Sequence, residues 1–282
     1  MIYLVIVSVI WAFSFPLIKL HLTSLDPSFV AFARMALALM VLLPFLRIRN
    51  VPAGLALRLS AIGGLQMGVM YVTYIRSYQY LQSYEVALLT ILTPLWITLL
   101  SSLLSKKLNP RFHLAALFAV AGAAVIVYRP DALGPALVGA LLVQIANLSF
   151  GAGQILFKRT MAAHPELESR QIMALLYAGA VVVTAVATAL TFDPAGFEIT
   201  TTQTLVLVYL GVVAAGLGFL LWNHGATIVS DGTLAVMNNG YMPIAVLAGL
   251  FWLGEDADPV RLVIGTSLMI IALFVAGRPA QQ

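Results

Sequence analysis

Apolar residues in this chain run on for membrane lengths and are interrupted at short polar or proline-bearing breaks. The breaks are Asp26-Pro27, Val51-Pro52, Asn109-Pro110, Arg129-Pro130, Gly134-Pro135, Asp193-Pro194 and Asp258-Pro259. A helix needs about 20 apolar residues to cross a bilayer, and proline with a polar neighbour marks where such a helix ends. The pattern predicts an all-α integral membrane protein with ten transmembrane helices. They fall near 2–20, 27–46, 58–77, 84–105, 111–128, 134–157, 170–191, 203–223, 232–253 and 259–277. The first run lacks a basic leader and a small-residue cleavage site, so it reads as a retained span and not a signal peptide.

The second half of the pattern repeats the first. A shift of 149 positions carries Pro94 onto Pro243, Pro110 onto Pro259 and Pro130 onto Pro279. Near the start of each half a shift of 139 carries Ser8 onto Asn147, Trp11 onto Phe150 and Lys19 onto Lys158. The difference is absorbed by longer loops around Ala163–Arg170 and Thr191–Thr202. The chain therefore divides into five-helix repeats, 1–130 and 131–282. An odd number of spans forces the second repeat to cross the membrane inverted, an arrangement found in transporters.

Composition sharpens this picture. The chain is 61% hydrophobic and 9% charged, against roughly 25% charged in soluble proteins. So few charges cannot cover a water-facing surface of this size. The net charge of +4 comes from cations scattered between apolar runs, which excludes a nucleic-acid surface and sets orientation instead. With a cytoplasmic N-terminus the inside loops hold Arg47, Arg49, Arg58, Lys106, Lys107, Arg111, Lys158, Arg159, Arg170 and Arg278. The outside loops hold Lys19, Arg76, Arg129 and Arg261. Both termini are then cytoplasmic. There are no cysteines, so disulfides and thiolate metal sites are excluded.

Polar groups inside a membrane must face protein or water. The sixth span carries Gln144, Asn147, Gly151, Gln154 and Lys158 at spacings of three and four, a single helical stripe. Its partner, the first span, carries Ser8, Trp11 and Phe15. The third span carries Tyr71, Tyr74 and Tyr78. The eighth ends in Trp222-Asn223-His224, and the fourth and ninth hold Thr90 and Thr93 against Asn238, Asn239 and Tyr241. Amide stripes also serve as glue between helices, and Tyr78 also fits an aromatic belt at the interface. His224 fits an interface better than a ligand site. Pro94 and Pro243 each remove a backbone donor in mid-span, marking helix breaks or hinges. Such breaks are tolerated beside a cavity.

In the repeat frame Tyr74 matches Asn223 and Thr90 matches Asn239. These positions form a polar-aromatic layer near each face, with Trp11 and Asn147 between them. One central site with two gates is expected. Trp11, Tyr74 and Tyr78 would stack on the solute. Ser8, Thr90, Asn147, Gln154, Trp222, Asn223, Asn238 and Asn239 would complete the site. The glycine pair Gly64 and Gly68, and Gly211, Gly216 and Gly218, allow close packing or hinge motion equally.

Several chemistries are not encoded. No span carries a central acid, as a proton-coupled carrier usually does. No cluster of metal ligands and no phosphate-binding loop is present, so no metal and no cofactor is expected. No Ser-His-Asp set can be placed. Arg34, Lys19 and Lys158 are the only intramembrane cations, and all three have stems long enough to snorkel to an interface. The cavity is therefore expected to take a neutral or zwitterionic solute.

Trp11-Ala-Phe-Ser-Phe-Pro-Leu-Ile-Lys19, Ala87–Pro94 with Leu104, and Tyr241–Pro243 with Leu253-Gly254-Glu255 resemble the EamA branch of the drug/metabolite transporter superfamily. The likeness extends over the whole chain and is greatest to the YddG-type aromatic amino-acid exporters. It implies a monomeric, multi-pass protein of the bacterial inner membrane, embedded in lipid, exporting amino acids and related metabolites by alternating access. One departure stands out. The family often carries Glu after the ends of both the fourth and ninth spans, whereas Ser105-Lys106-Lys107 follows the fourth here. The alternatives are a sugar or drug permease of the same fold and, from another class, a membrane-embedded lipid-modifying enzyme.

Overall fold

A computed structural model describes residues 2–49, 51–104, 111–128, 130–227 and 239–277. The described residues are helical, with short connections and no strand among them. The helices are α1 (Ile2–Leu22), α2 (Pro27–Phe45), α3 (Ala53–Ser77), α4 (Ser83–Thr90), α5 (Thr93–Leu104) and α6 (Arg111–Val127), then α7 (Leu133–Ala163), α8 (Ser169–Thr191), α9 (201–227), α10 (Met242–Trp252) and α11 (Pro259–Gly277). Taking α4 and α5 together, seven helices among the described residues are long and apolar enough to cross a membrane. Leu114–Val127, Met242–Trp252 and Pro259–Val275 are shorter apolar helices. Side chains such as Leu190 and Phe251 point outward at 80% and 83% exposure, the side that lipid covers.

Local sequence explains the helix ends. Asp26 caps α2 by accepting from Phe29 N at 2.9 Å, with Pro27 in the first turn, where a missing N–H costs nothing. Thr200 and Gln203 form a reciprocal capping box at the start of α9. α7 runs to Ala163, beyond the expected end near 157, and holds Lys158 and Arg159 exposed in its last turns. Both are good helix formers, so the helix continues past the point where the apolar run stops.

Helix contacts come in exchanged pairs. Between 1–130 and 131–282, α2 packs on α8 and α6 on α11, like on like. α1 meets α9 as α3 meets α7, and α2 meets α9 as α3 meets α8. Glycine permits the tightest of these approaches. A Cβ at Gly63 would collide with the Leu176 main chain, and one at Gly179 with the Ser60 carbonyl, so α3 and α8 cross backbone to backbone.

Candidate functional site

Where the helices meet they leave a cavity of about 110 Å³. A helix interruption and a turn frame it. The first lies at Ile91–Leu92, between α4 and α5. The second is the turn Asn239–Tyr241 that precedes α10. A shift of 149 places one on the other, and each following helix carries proline as its second residue, Pro94 or Pro243. Proline has no N–H to give the carbonyl four residues back. At the interruption Thr93 Oγ1 donates to Thr90 O at 2.8 Å instead. Asn239 Nδ2 reaches across to Ile91 O at 3.5 Å, so the interruption and the turn touch.

Asn147 of α7 completes this polar floor. Its Nδ2 donates to Leu89 O at 3.0 Å and to Gln144 Oε1 at 3.3 Å, and its Oδ1 accepts from Thr93 Oγ1 at 3.1 Å. Gln144 Oε1 also accepts from Trp96 Nε1 at 2.9 Å. Of the amide stripe of α7, Asn147 lies at the cavity, and it and Gln144 spend hydrogen bonds on the broken helix. Broken helices are sustained at membrane depth in this way.

The walls are aromatic. Trp11 stacks on Trp222 with centroids 4.9 Å apart and meets Phe219 at 5.2 Å and Tyr241 at 5.8 Å. Its indole N–H donates to Ala214 O at 2.9 Å, so its ring is held by the protein. That carbonyl lies in a wide π-type segment of α9, Tyr209–Leu217, and Tyr177 Oη takes the next one, Ala215 O, at 3.0 Å. Phe15 joins Tyr74 at 5.8 Å and Tyr241 at 5.9 Å.

Arg34 of α2 also lines the cavity, at 2% exposure. It does not snorkel. Its guanidinium carbon lies 4.4 Å from the Tyr71 ring centroid, and Nη2 donates to Tyr71 Oη at 3.4 Å. Nε and Nη1 have no hydrogen-bond partner among the described residues. No carboxylate is among the described residues lining the cavity. The expectation of a cavity without fixed charge is therefore corrected. Arg34 is held at the cavity wall by Tyr71 of α3.

Trp11, Tyr74, Thr90, Asn147 and Asn239, expected from sequence, all line the cavity. Tyr78 does not line it. It is 1% exposed behind Tyr74, with the two hydroxyls 2.6 Å apart, so it is no interfacial belt residue either. Trp222 backs Trp11, Ser8 is buried outside the lining, and Gln154 is half-buried away from it. Asn238 and the side chains of Asn223 and His224 lie outside the described residues. Sequence reasoning missed Arg34, Phe150 and Phe219 as lining residues. For Arg34 the available signal was its mid-span position; for the two phenylalanines there was none beyond ordinary apolar character.

A carboxylate clasp joins α4 to the connection between α10 and α11. Glu255, in the connection between α10 and α11, accepts from Ser83 N at 2.7 Å, Ser83 Oγ at 2.8 Å and Tyr84 N at 3.1 Å. A carboxylate from the second half thereby caps the N-terminus of α4 in the first, where the helix dipole favours it. Beside it Lys19 Nζ donates to Tyr78 O at 2.9 Å and Leu81 O at 2.7 Å.

Comparison with known proteins agrees with this architecture. The model of the EamA-like transporter family matches residues 1–128 and 137–278. A protein of Pseudomonas aeruginosa named "Probable biotin transporter" is 40% identical over 275 residues, 97% of this chain and 96% of that protein. Proteins named "Biotin transporter" match at 38% identity from Escherichia coli K12, over 99% of this chain and 95% of that one. The relative from Salmonella typhimurium matches at 37%, over 96% and 91%. A solved crystal structure superposes with a TM-score of 0.61 at 19% identity, over 98% of this chain and 94% of that chain. That last likeness is one of fold.

Proposed function

The chain belongs to the EamA-like transporter family and is a multi-pass protein of a bacterial inner membrane, and from this premise we propose that it carries biotin, or a closely similar carboxylated metabolite, across that membrane. The observation that carries the reading is the central cavity, set between the α4–α5 interruption and the turn before α10 and walled by aromatic rings. Transporters place their substrate at broken helices where two repeats meet. Biotin has a compact bicyclic body and a chain ending in a carboxylate. The rings offer apolar faces to the body, and Thr90, Asn147 and Asn239 lie beside any polar edge it presents.

Finer features of the reading follow. The seven long and three shorter apolar helices support ten spans, and the exchanged helix contacts and the two family matches support inverted halves, 1–130 and 131–282. Transport proceeds by alternating access, with the Glu255 clasp closing one end. Amino-acid export, implied by the resemblance, has less support. The relatives carry another name, and an amino acid brings an ammonium group for which the described lining has no carboxylate. The relatives' names also favour a carrier over an embedded enzyme.

Uptake of radiolabelled biotin into proteoliposomes, challenged with an excess of unlabelled biotin, phenylalanine, tryptophan or glucose, tests the reading. Saturable uptake suppressed by biotin alone is expected. Saturable uptake of labelled phenylalanine with none of biotin would replace this reading by amino-acid transport.

A further inference from the structure

We infer that Arg34 anchors the ionised carboxylate of the transported molecule and makes the protein selective for acids over their neutral amides and esters. The inference rests on the transport reading above and names the chemical class its central cavity recognises. Three observations carry it. Arg34 is 2% exposed, yet Nε and Nη1 have no partner among the described residues. Those two nitrogens carry three N–H donors, and an arginine does not shed its charge to escape burial. The group also lines the central cavity described above.

Tyr71 fixes the orientation. Its ring lies 4.4 Å from the guanidinium carbon and its hydroxyl accepts from Nη2 at 3.4 Å. Contact with the ring face favours the cation without using its N–H groups. Tyr71 thus holds the fork in place and leaves Nε and Nη1 open. A buried guanidinium with open donors is complementary to a carboxylate, which accepts two parallel hydrogen bonds, one from the second N–H of Nη2 and one from the neighbouring Nε or Nη1. A neutral solute would leave the cation uncompensated, and a zwitterion would bring a second cation toward it. The substrate class is therefore a monocarboxylate with an apolar or cyclic body. The acid end lies at Arg34 and Tyr71, and the body lies against Trp11, Phe150 and Phe219.

The test compares biotin with biotinamide and biotin methyl ester as competitors of labelled biotin uptake by the reconstituted full-length protein. The acid is expected to compete at least about tenfold better than either neutral analogue, the loss of a hydrogen bond to a charged group. Arg34→Gln abolishes that preference, and Arg34→Lys keeps the charge and part of the preference. Equal competition by acid and amide in the wild type would overturn the inference and leave biotin transport standing. So would an acid preference undiminished in Arg34→Gln. Should Arg34→Gln not fold, the wild-type comparison of acid and amide still decides. If the wild type takes up no biotin, the biotin reading falls by itself. The anchor is then judged by thermal stabilisation with lipoate and desthiobiotin against their amides: stabilisation by acids alone sustains it, and none by either refutes it.

Discussion

Two polar groups line the same cavity and are treated in opposite ways. Asn147 is 3% exposed, and its amide bonds to Leu89 O, Gln144 and Thr93. Arg34 is as deeply buried, and two of its three nitrogens are unpartnered among the described residues. A buried polar group without a partner costs stability, and a buried charge costs more. Asn147 therefore maintains the scaffold, and Arg34 is maintained at the scaffold's expense. The lesson is to ask of an intramembrane polar residue which of its atoms are already spoken for, before asking whether it touches a cavity.

That contrast can be broken experimentally. The largest effect is expected from Arg34→Met. Biotin uptake should fall to background while the melting temperature in detergent holds or rises, because a buried uncompensated charge is replaced by an apolar chain of similar length. A marked fall in melting temperature would place Arg34 with the scaffold. Asn147→Leu should do the reverse to stability. It removes one hydrogen bond each from Leu89 O, Gln144 Oε1 and Thr93 Oγ1, which keep other partners, at about 0.5–1.5 kcal/mol for each bond lost. A thermal shift assay should show a clear drop; an unchanged melting temperature would show that the network is dispensable. Glu255→Gln comes next. It weakens a three-bond clasp without deleting its shape. A cysteine at Tyr78 should then react faster with a soluble maleimide, and unchanged labelling would mean that the clasp does not hold that end shut. The smallest effect belongs to Tyr78→Phe, which removes the 2.6 Å contact with Tyr74. One neutral hydrogen bond is worth about 1 kcal/mol, so uptake should persist with slightly lower stability.

Much of this arrangement is written in the sequence. Apolar run length marks the spans. Pro94 and Pro243 each stand as the second residue of a helix that starts after a turn, because a missing N–H is a local property. Trp11, Tyr74, Thr90, Asn147 and Asn239 were accessible because polar or amphipathic side chains in a span need a reason to be there. What the sequence withheld depends on partners. Whether Asn147 is free or committed rests on the carbonyl of Leu89, exposed only because the helix breaks nearby. Whether Arg34 snorkels rests on the depth of its position and on Tyr71 from another helix. Tyr78 resembles a belt residue by composition, but the helices around it close over it. The contribution of Phe150 and Phe219 is a matter of which way an apolar ring faces.

The exchanged helix contacts also bear on how the chain is made. α2 carries Arg34 and packs on α8 and α9, which begin at residues 169 and 201. During synthesis α2 must therefore sit in the bilayer before those helices exist. An arginine at mid-membrane opposes insertion by roughly 2.5–3.5 kcal/mol. The remaining residues of α2, with a mean hydropathy of 2.0, work in the other direction. Tyr71, one helix later, is the earliest group able to cover the cation. Until α8 arrives, the nascent N-terminal half is an incomplete object in which α2 lacks the helix it packs on. Chain release before that point would leave it to the cell's membrane quality control.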